Sequence, residues 1–244
     1  MIELLGVGIQ ATNGPWIIRS VCAAFETGEL TFVVSSDRAA RLALLDVLSA
    51  QKIPAEGRTW MSGAPLMRDT AKALATFVGR VDPGQPFVEG RTVFANALPA
   101  DPWWSRVTHI ESRGTGAARK FARETLERVG LGSCADQPVA TLDPWRRRRL
   151  AIARAMIPRR DHLVAPEVDE ELSPSQAADV LGVLRTVARS ARIPVIVSAE
   201  DATLVQLFAD RVLVLADGVL AFDGPPHALG TQAPSTPRDF MRAG

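Results

Sequence analysis

The chain has 244 residues, of which 47% are hydrophobic and 23% charged, a composition that excludes disordered and fibrous proteins and supports one large core. Its 28 Lys and Arg nearly balance its 27 Asp and Glu, so the overall charge does not favour nucleic acid or an anionic membrane surface as a partner. Cys22 and Cys134 lack metal-type spacing, and no apolar run or basic leader suggests a membrane span or a signal peptide. We therefore expect a cytoplasmic protein without a metal site.

The first sixty residues alternate between apolar and polar positions, as β-strands do. The apolar runs occupy residues 2–7, 16–21 and 30–34, with turn residues between them. A polar turn follows the third run, and a helix is predicted to open near Ala39. From residue 83 to about 132 the pattern changes to helical segments rich in Ala, Arg and Glu, which predicts an inserted helical subdomain.

The rest of the chain alternates between helices and strands. We predict helices at 144–156, 175–191 and 202–209, strands at 162–165 and 194–198, and a final hairpin that turns at Asp217 and Gly218. Strands that alternate with helices imply a parallel sheet covered on both faces. The predicted organisation is a β subdomain and core from 1–82 and 141–230, a helical subdomain from 83–140, and a loose C-terminal tail from 231–244.

Several short sequence segments occur along the chain in an order that is typical of one protein family. They are TGELTFVV before the polar turn, LERVGLGSCADQPVATL, RRRRLAIARAM, IPVIVSAED and FADRVLVLADGVLAFDGPPHAL. In this order they resemble the nucleotide-binding subunit of ATP-binding-cassette (ABC) transporters over essentially the whole chain. LVAPEV, VIVSAED and AFDGPP look most like the phosphonate and phosphate-type importer ATPases. The resemblance implies an α/β fold with a P-loop NTPase-like (RecA-like) parallel core, an N-terminal antiparallel β subdomain and an inserted helical subdomain.

The polar turn matches the family's phosphate loop in position but not in residue type. In the family motif GxxxxGK[ST], backbone N–H groups and a lysine hold phosphates while a hydroxyl binds Mg²⁺. The aligned residues are Ser35, Ser36, Asp37, Arg38, Ala39, Ala40, Arg41, Leu42 and Ala43. Arg38 puts a long side chain at a glycine position, and Leu42 cannot coordinate a metal. Arg41 keeps the lysine's charge, and we favour a solvated arginine over a surviving phosphate contact.

The acidic end of the strand at 162–165 is altered as well. The family ends this strand in Asp-Glu, the first residue holding the Mg²⁺ shell and the second orienting the attacking water. Pro166 occupies the aspartate position here, which leaves Glu167. Two interpretations stay open for Glu167: a residual general base, or a polar residue at a strand end that precedes an acidic cluster.

The family's LSGGQ-type signature corresponds to LDPWRRRRL, with Asp143, Pro144 and Trp145 in place of the serine and the glycines. Asp as N-cap and Pro at the first position start a helix well, but they make a poor phosphate clamp. Other switch positions also depart from the family. The γ-phosphate histidine aligns with Glu200, the glutamine with Pro83 (Gln85 lies two residues on), and the adenine-stacking aromatic with Ala11.

These replacements remove the side chains that the family uses to bind phosphate and Mg²⁺, whereas the apolar patterns of the core remain. We interpret the chain as a structural or regulatory subunit with little or no ATPase activity, docked on a transmembrane permease beside a second ABC ATPase subunit, in a hetero- or homodimer. We expect no cofactor, with ATP and Mg²⁺ bound only if residual binding survives, no nucleic acid, and a location on the inner face of the cell membrane.

The resemblance also implies that the helical subdomain receives the permease. The candidate docking residues in the stretch 87–104 are Phe87, Phe94, Trp103 and Trp104, and local core is an equal alternative for them. Two other functions stay open for the chain. One is an active or slow importer ATPase that uses Arg41 and Glu167, and the other is a soluble interaction protein without a permease.

Overall fold

The computed structural model describes residues 1–12, 14–82, 84, 86–98, 116–157, 160–199 and 202–229. These residues form two compact units. The first comprises the described parts of Met1–Arg80 and Asp161–Gly244, and the second comprises those of Val81–Arg160. The second unit extends to residue 160, whereas the predicted helical subdomain ends at 140.

Two β-sheets organise the first unit. The smaller sheet is antiparallel, with strand order β2-β1-β4-β5, and consists of β1 (Ile2–Gln10), β2 (Trp16–Phe25), β4 (Glu56–Met61) and β5 (Ala64–Pro65). The larger sheet has the order β10-β9-β3-β8-β7-β6 and consists of β3 (Leu30–Val34), β6 (Val78–Arg80), β7 (His162–Ala165), β8 (Val195–Val197), β9 (Arg211–Ala216) and β10 (Val219–Gly224).

The larger sheet is parallel except at one edge. Strand β3 pairs in parallel with β8 and β9, and β7 pairs in parallel with β8 and β6. Every residue of β3, β7 and β8 is buried, as expected for strands covered on both faces. At the edge, β9 and β10 form the predicted antiparallel hairpin, in which Asp217 and Gly218 both take the positive φ that a two-residue turn requires.

Four helices belong to the described part of the first unit: α1 (Arg38–Leu48), α2 (Arg68–Ala75), α6 (Pro174–Ala191) and α7 (Ala202–Phe208). One apolar cluster joins α1 to both sheets, since Leu44 and Leu48 of α1 lie in it with Phe25 of β2 and Val33 of β3. The burial of these apolar side chains favours folding. It also packs α1 against the sheet that contains β3.

The second unit is helical. Its described helices are α3 (Val93–Ala97), α4 (Gly116–Arg128) and α5 (Pro144–Met156), with short 3-10 turns at Gly132–Cys134 and Val139–Thr141. Leu126 of α4 and Leu150 of α5 are fully buried, which gives this unit a core of its own. None of the helices in the described residues combines the length and the hydrophobicity that a membrane crossing requires.

A buried histidine links β7 to α1 in the first unit. His162 Nε2 lies 2.9 Å from the carbonyl oxygen of Leu48, to which it donates a hydrogen bond. Burial lowers the pKa of His162 from its ordinary 6.5, because the charged imidazolium loses its hydration, and the bond to Leu48 opposes this only in part. The folded protein therefore holds this histidine neutral at pH values where the unfolded chain takes up a proton.

We predict that the free energy of unfolding falls as the pH drops below 6.5, by at most about 1.4 kcal/mol per pH unit from this group. The unfolded chain binds the extra proton in this range, so acid favours unfolding until the pH reaches the folded pKa. Urea unfolding from neutral to mildly acidic pH measures the effect. His162→Gln should flatten the curve, while the exposed control His227→Gln should leave it unchanged. Parallel curves for all three proteins would contradict the assignment.

Candidate functional site

The carboxyl ends of β3, β8 and β7 lie side by side in the larger sheet. Strand β8 pairs in parallel with both neighbours, so residues 35–37, 166–171 and 198–199 all emerge at one edge. Ligands of open parallel sheets bind in the crevice at this edge. The segments that carry the predicted phosphate loop and the acidic strand end are therefore brought together where a ligand of such a fold lies.

Side chains of the turn between β3 and α1 accept hydrogen bonds from two of its own backbone N–H groups. Asp37 is the N-cap of α1, and its Oδ1 accepts a hydrogen bond of 2.8 Å from the N–H of Ala39. The N–H of Asp37 in turn donates to Oγ of Ser35, which is buried, over 3.2 Å. Two N–H groups at the start of α1 are thus used by side chains of the same turn rather than left open for an anion.

Arg41 is not a solvated arginine, so the interpretation that we favoured from sequence is wrong. Only 4% of the residue is exposed, and its Nη1 donates to the backbone carbonyl of Ser35. Position 41 lies on the same helical stripe as Leu44, Leu45 and Leu48, with spacings of three, four and seven residues. This spacing was readable in the sequence and places the guanidinium inside, beneath the turn.

Arg38 connects the start of α1 to the end of β7. Its Nε and Nη2 both donate to the carboxylate of Glu167, the Nη2–Oε2 distance being 2.6 Å. Nη2 also lies 3.6 Å from Oε1 of Glu170. The Arg38 side chain is 59% exposed and that of Glu167 only 10%, so the pair runs from the surface into the crevice.

The segment after β7 is fixed by β8. The N–H of Glu167 donates to Oγ of Ser198 over 3.0 Å, and the N–H of Val168 donates to the carbonyl of Ser198 over 3.1 Å. Glu167 has a φ of +46°, an uncommon value for a residue other than glycine. Sequence reasoning missed the role of Ser198, although a serine at the end of an apolar strand was a visible signal.

The start of α5 matches the expectation from sequence. Asp143 is the N-cap, its Oδ1 accepting from the N–H of Arg146 over 3.1 Å, and Pro144 occupies the first position of the helix. The ring of Trp145 is half-buried, with the guanidinium carbons of Arg146 and Arg149 at 4.9 and 4.4 Å from its centroid. These residues form a well-capped helix start, in which Arg146 donates to both carboxylate oxygens of Asp143.

Comparison with known proteins gives a consistent result at this point. No family model matches the chain. The phosphonates import ATP-binding protein PhnC 2 of Synechococcus sp. is 25% identical over 239 residues, which cover 94% of this chain and 87% of that protein. PhnC 1 of Ruegeria sp. is 25% identical over 236 residues, which cover 94% and 91%. The structure of cbiO1 of Clostridium perfringens, part of the ABC transporter complex cbiONQ, aligns with a TM-score of 0.82 at 19% identity, covering 95% of this chain and 90% of that one.

The chain has the fold of an ABC transporter ATPase. In sequence it resembles the ATP-binding subunits of phosphonate importers over nearly its whole length, which confirms the recognition made from its motifs. The predicted fold class is confirmed with it: a parallel core sheet, an N-terminal antiparallel sheet and a helical unit.

An ABC ATPase fold implies Mg²⁺ and ATP as ligands, and the described residues do not fit the donor set of the family motif. Leu42 is a hydrocarbon at the hydroxyl position, and Pro166 offers no side-chain oxygen at the aspartate position. The guanidinium of Arg41 is directed to the loop carbonyl of Ser35. The fork of Arg38 occupies the carboxylate of Glu167. The side chains at this edge of the sheet therefore bind one another at the positions where the family motif would bind Mg²⁺ and phosphate.

The remaining predicted positions are only partly described. Phe87 is half-buried with the guanidinium of Arg154 over its ring at 4.6 Å. Of the two alternatives for Phe94, its burial favours local core: it is 7% exposed, with the guanidinium groups of Arg119 and Arg123 over its ring. Five predicted residues lie outside the described residues: Pro83, Gln85, Trp103, Trp104 and Glu200.

Ala11, at the position of the adenine-stacking aromatic, is half-buried, and its N–H donates to the carbonyl of Pro15 over 3.0 Å. The nearby Trp16 pairs with Gln10 across β1 and β2. Its ring lies so close to Gly8 that a Cβ at that glycine would approach the ring within 2.8 Å. Trp16 is therefore packed against the antiparallel sheet.

Because Arg41 is buried and donates to the loop, we predict that Arg41→Ala lowers the free energy of unfolding by about 1–3 kcal/mol, the range for a buried polar group that loses its partner. Arg68, an exposed arginine at the first position of α2, is a matched control. Arg68→Ala should stay within about 0.5 kcal/mol of the wild type. Denaturant unfolding of both variants measures the difference, and equal stabilities would show that Arg41 has no structural role.

Proposed function

We propose that the chain is the ATP-binding-type subunit of a phosphonate- or phosphate-like ABC importer that hydrolyses little or no ATP and acts as a structural or regulatory partner on a membrane permease. The similarity to phosphonates import ATP-binding proteins supports the transporter assignment, because it spans both units of the chain and not one motif. A place on the cytoplasmic face of the membrane follows from the same proposal.

The observation that carries the proposed loss of hydrolysis is the set of side chains at the carboxyl ends of β3 and β7. Phosphoryl transfer depends on positioning and on electrostatic stabilisation by a metal, a lysine and backbone donors. Leu42 and Pro166 provide no metal ligand at the two positions where the family places one. Both oxygens of the Glu167 carboxylate accept hydrogen bonds from Arg38.

The role as a partner is supported by the parts of the cassette that persist. The core around α1, the parallel sheet and the capped helix α5 are all formed by apolar and capping residues rather than by catalytic ones. A homodimer would contain two altered sites. We therefore propose a second, dissimilar ABC subunit beside this one, or a transporter that does not run on hydrolysis at this subunit.

A slow ATPase is the second candidate function, and one observation favours it: Glu167 still follows the strand at the position of the family's catalytic carboxylate. Such an enzyme would need Glu167 released from Arg38 in the working complex. The effect of Glu167→Gln on ATP turnover separates this candidate from the proposal.

We predict that the chain, co-expressed with an ABC importer permease from its own source organism, is retained on an affinity tag carried by the permease, and that Glu167→Gln changes ATP turnover of the complex by less than about twofold. A working general base contributes about 10²–10⁴-fold to a rate, so a hydrolase that uses Glu167 would lose that factor. Glu171→Gln, in the same acidic segment but exposed, is the matched control. A hundredfold loss confined to Glu167→Gln, or no retention on the permease, would refute the proposal.

A further inference from the structure

We propose that an internal ion pair does in this protein what a bound ligand would otherwise do at this edge of the sheet: it ties the start of α1 to the end of β7. The pair of Arg38 and Glu167, called here the Arg38–Glu167 clasp, orders the turn 35–37 and the acidic segment 166–171 together, without nucleotide. This inference rests on the contacts of the first unit and does not require the transport role.

The clasp bridges two strands that do not touch. Strand β8 lies between β3 and β7 in the sheet, so their ends are separated by two strand spacings, about 10 Å. Arg38 starts on the β3 side, in the first turn of α1, and Glu167 lies two residues beyond β7. Their long side chains therefore join the β3 side of this edge to the β7 side.

The geometry of the clasp is specific. Two parallel N–H···O bonds run from the planar guanidinium to both oxygens of one carboxylate, which is the arrangement that Arg forms and Lys cannot. Glu167 is held from the other side by Ser198, and its left-handed backbone persists only where surrounding contacts fix it. Ser198 thus holds the backbone of Glu167, while the fork of Arg38 holds its carboxylate.

The negative charges around Arg38 explain why the clasp should keep both segments ordered. Glu167 is 8% exposed, and the neighbouring carboxylate of Glu170 lies within 3.6 Å of the same guanidinium. Removal of Arg38 would take both hydrogen bonds of the clasp from a buried carboxylate that lies beside further acidic residues, and the loss of such bonds in a buried site is costly. The segment would relieve this cost by opening to water, and the turn at the start of α1 would lose its tether at the same time.

The order of the two segments should therefore not depend on a bound nucleotide. Where a nucleotide orders a loop, the loop is mobile until the ligand arrives. Here the tether is part of the chain, so a partner that contacts residues 35–41 or 166–171 meets the same surface whether or not ATP is present.

Hydrogen exchange of the full chain, followed by mass spectrometry with and without ATP and Mg²⁺, tests the inference. The variants are Arg38→Ala, Arg38→Lys, which keeps the charge but loses the fork, and Arg68→Ala as the matched control at the first position of α2. In the wild type, peptides that report residues 35–41 and 166–171 should be protected without ATP and should change little when it is added. In Arg38→Ala, both segments should exchange about tenfold faster, with Arg38→Lys between it and the wild type.

Two results would overturn the clasp. One is exchange in Arg38→Ala that stays within about twofold of the wild type in both segments. The other is a wild type in which both segments become protected only when ATP and Mg²⁺ are added, because their order would then depend on the ligand. A large loss of turnover confined to Glu167→Gln in a permease complex would refute the proposed function and leave this outcome unaffected, since the exchange is measured on the chain alone.

Discussion

Parallel pairing of β8 with β3 on one side and β7 on the other is the constraint on which the rest of the site depends. It brings three segments that are far apart in sequence to one edge of the sheet. The apolar cluster that joins α1 to both sheets then sets the start of that helix directly at this edge. A cleft for an anion would result if the segments carried glycines and a lysine, but the side chains present fill it with contacts to one another.

Each of these contacts provides a hydrogen-bond partner for a polar group that the fold places at this edge of the sheet. A helix start exposes N–H groups, and Asp37 caps one of them through its carboxylate. A buried arginine needs acceptors, and the carbonyl of Ser35 is one of them. A carboxylate at a buried strand end needs a cation, and Arg38 supplies it. The turn can therefore be stable without a ligand, which is compatible with a subunit retained for its shape and its contacts.

The sequence predicted what depends on local patterns. Strand alternation, the Asp-Gly hairpin and the capped start of α5 follow from residues that are neighbours in the chain, and the structure has all three. The burial of Arg41 was missed because its charge was weighed above its place on the apolar stripe of α1. The pairing of Arg38 with Glu167 was not predictable locally, since 129 residues separate them and only the strand order brings them together.

We propose that the polar groups of this site bind one another and that the site does not bind a nucleotide. Titration calorimetry of the purified chain with ATP and Mg²⁺ tests this, with Arg41→Ala measured in parallel. We expect no saturable heat up to millimolar ATP. Saturable binding in the micromolar range would contradict it, and its loss in an Arg41→Ala protein that is still folded would show that Arg41 leaves the carbonyl of Ser35 to hold a phosphate.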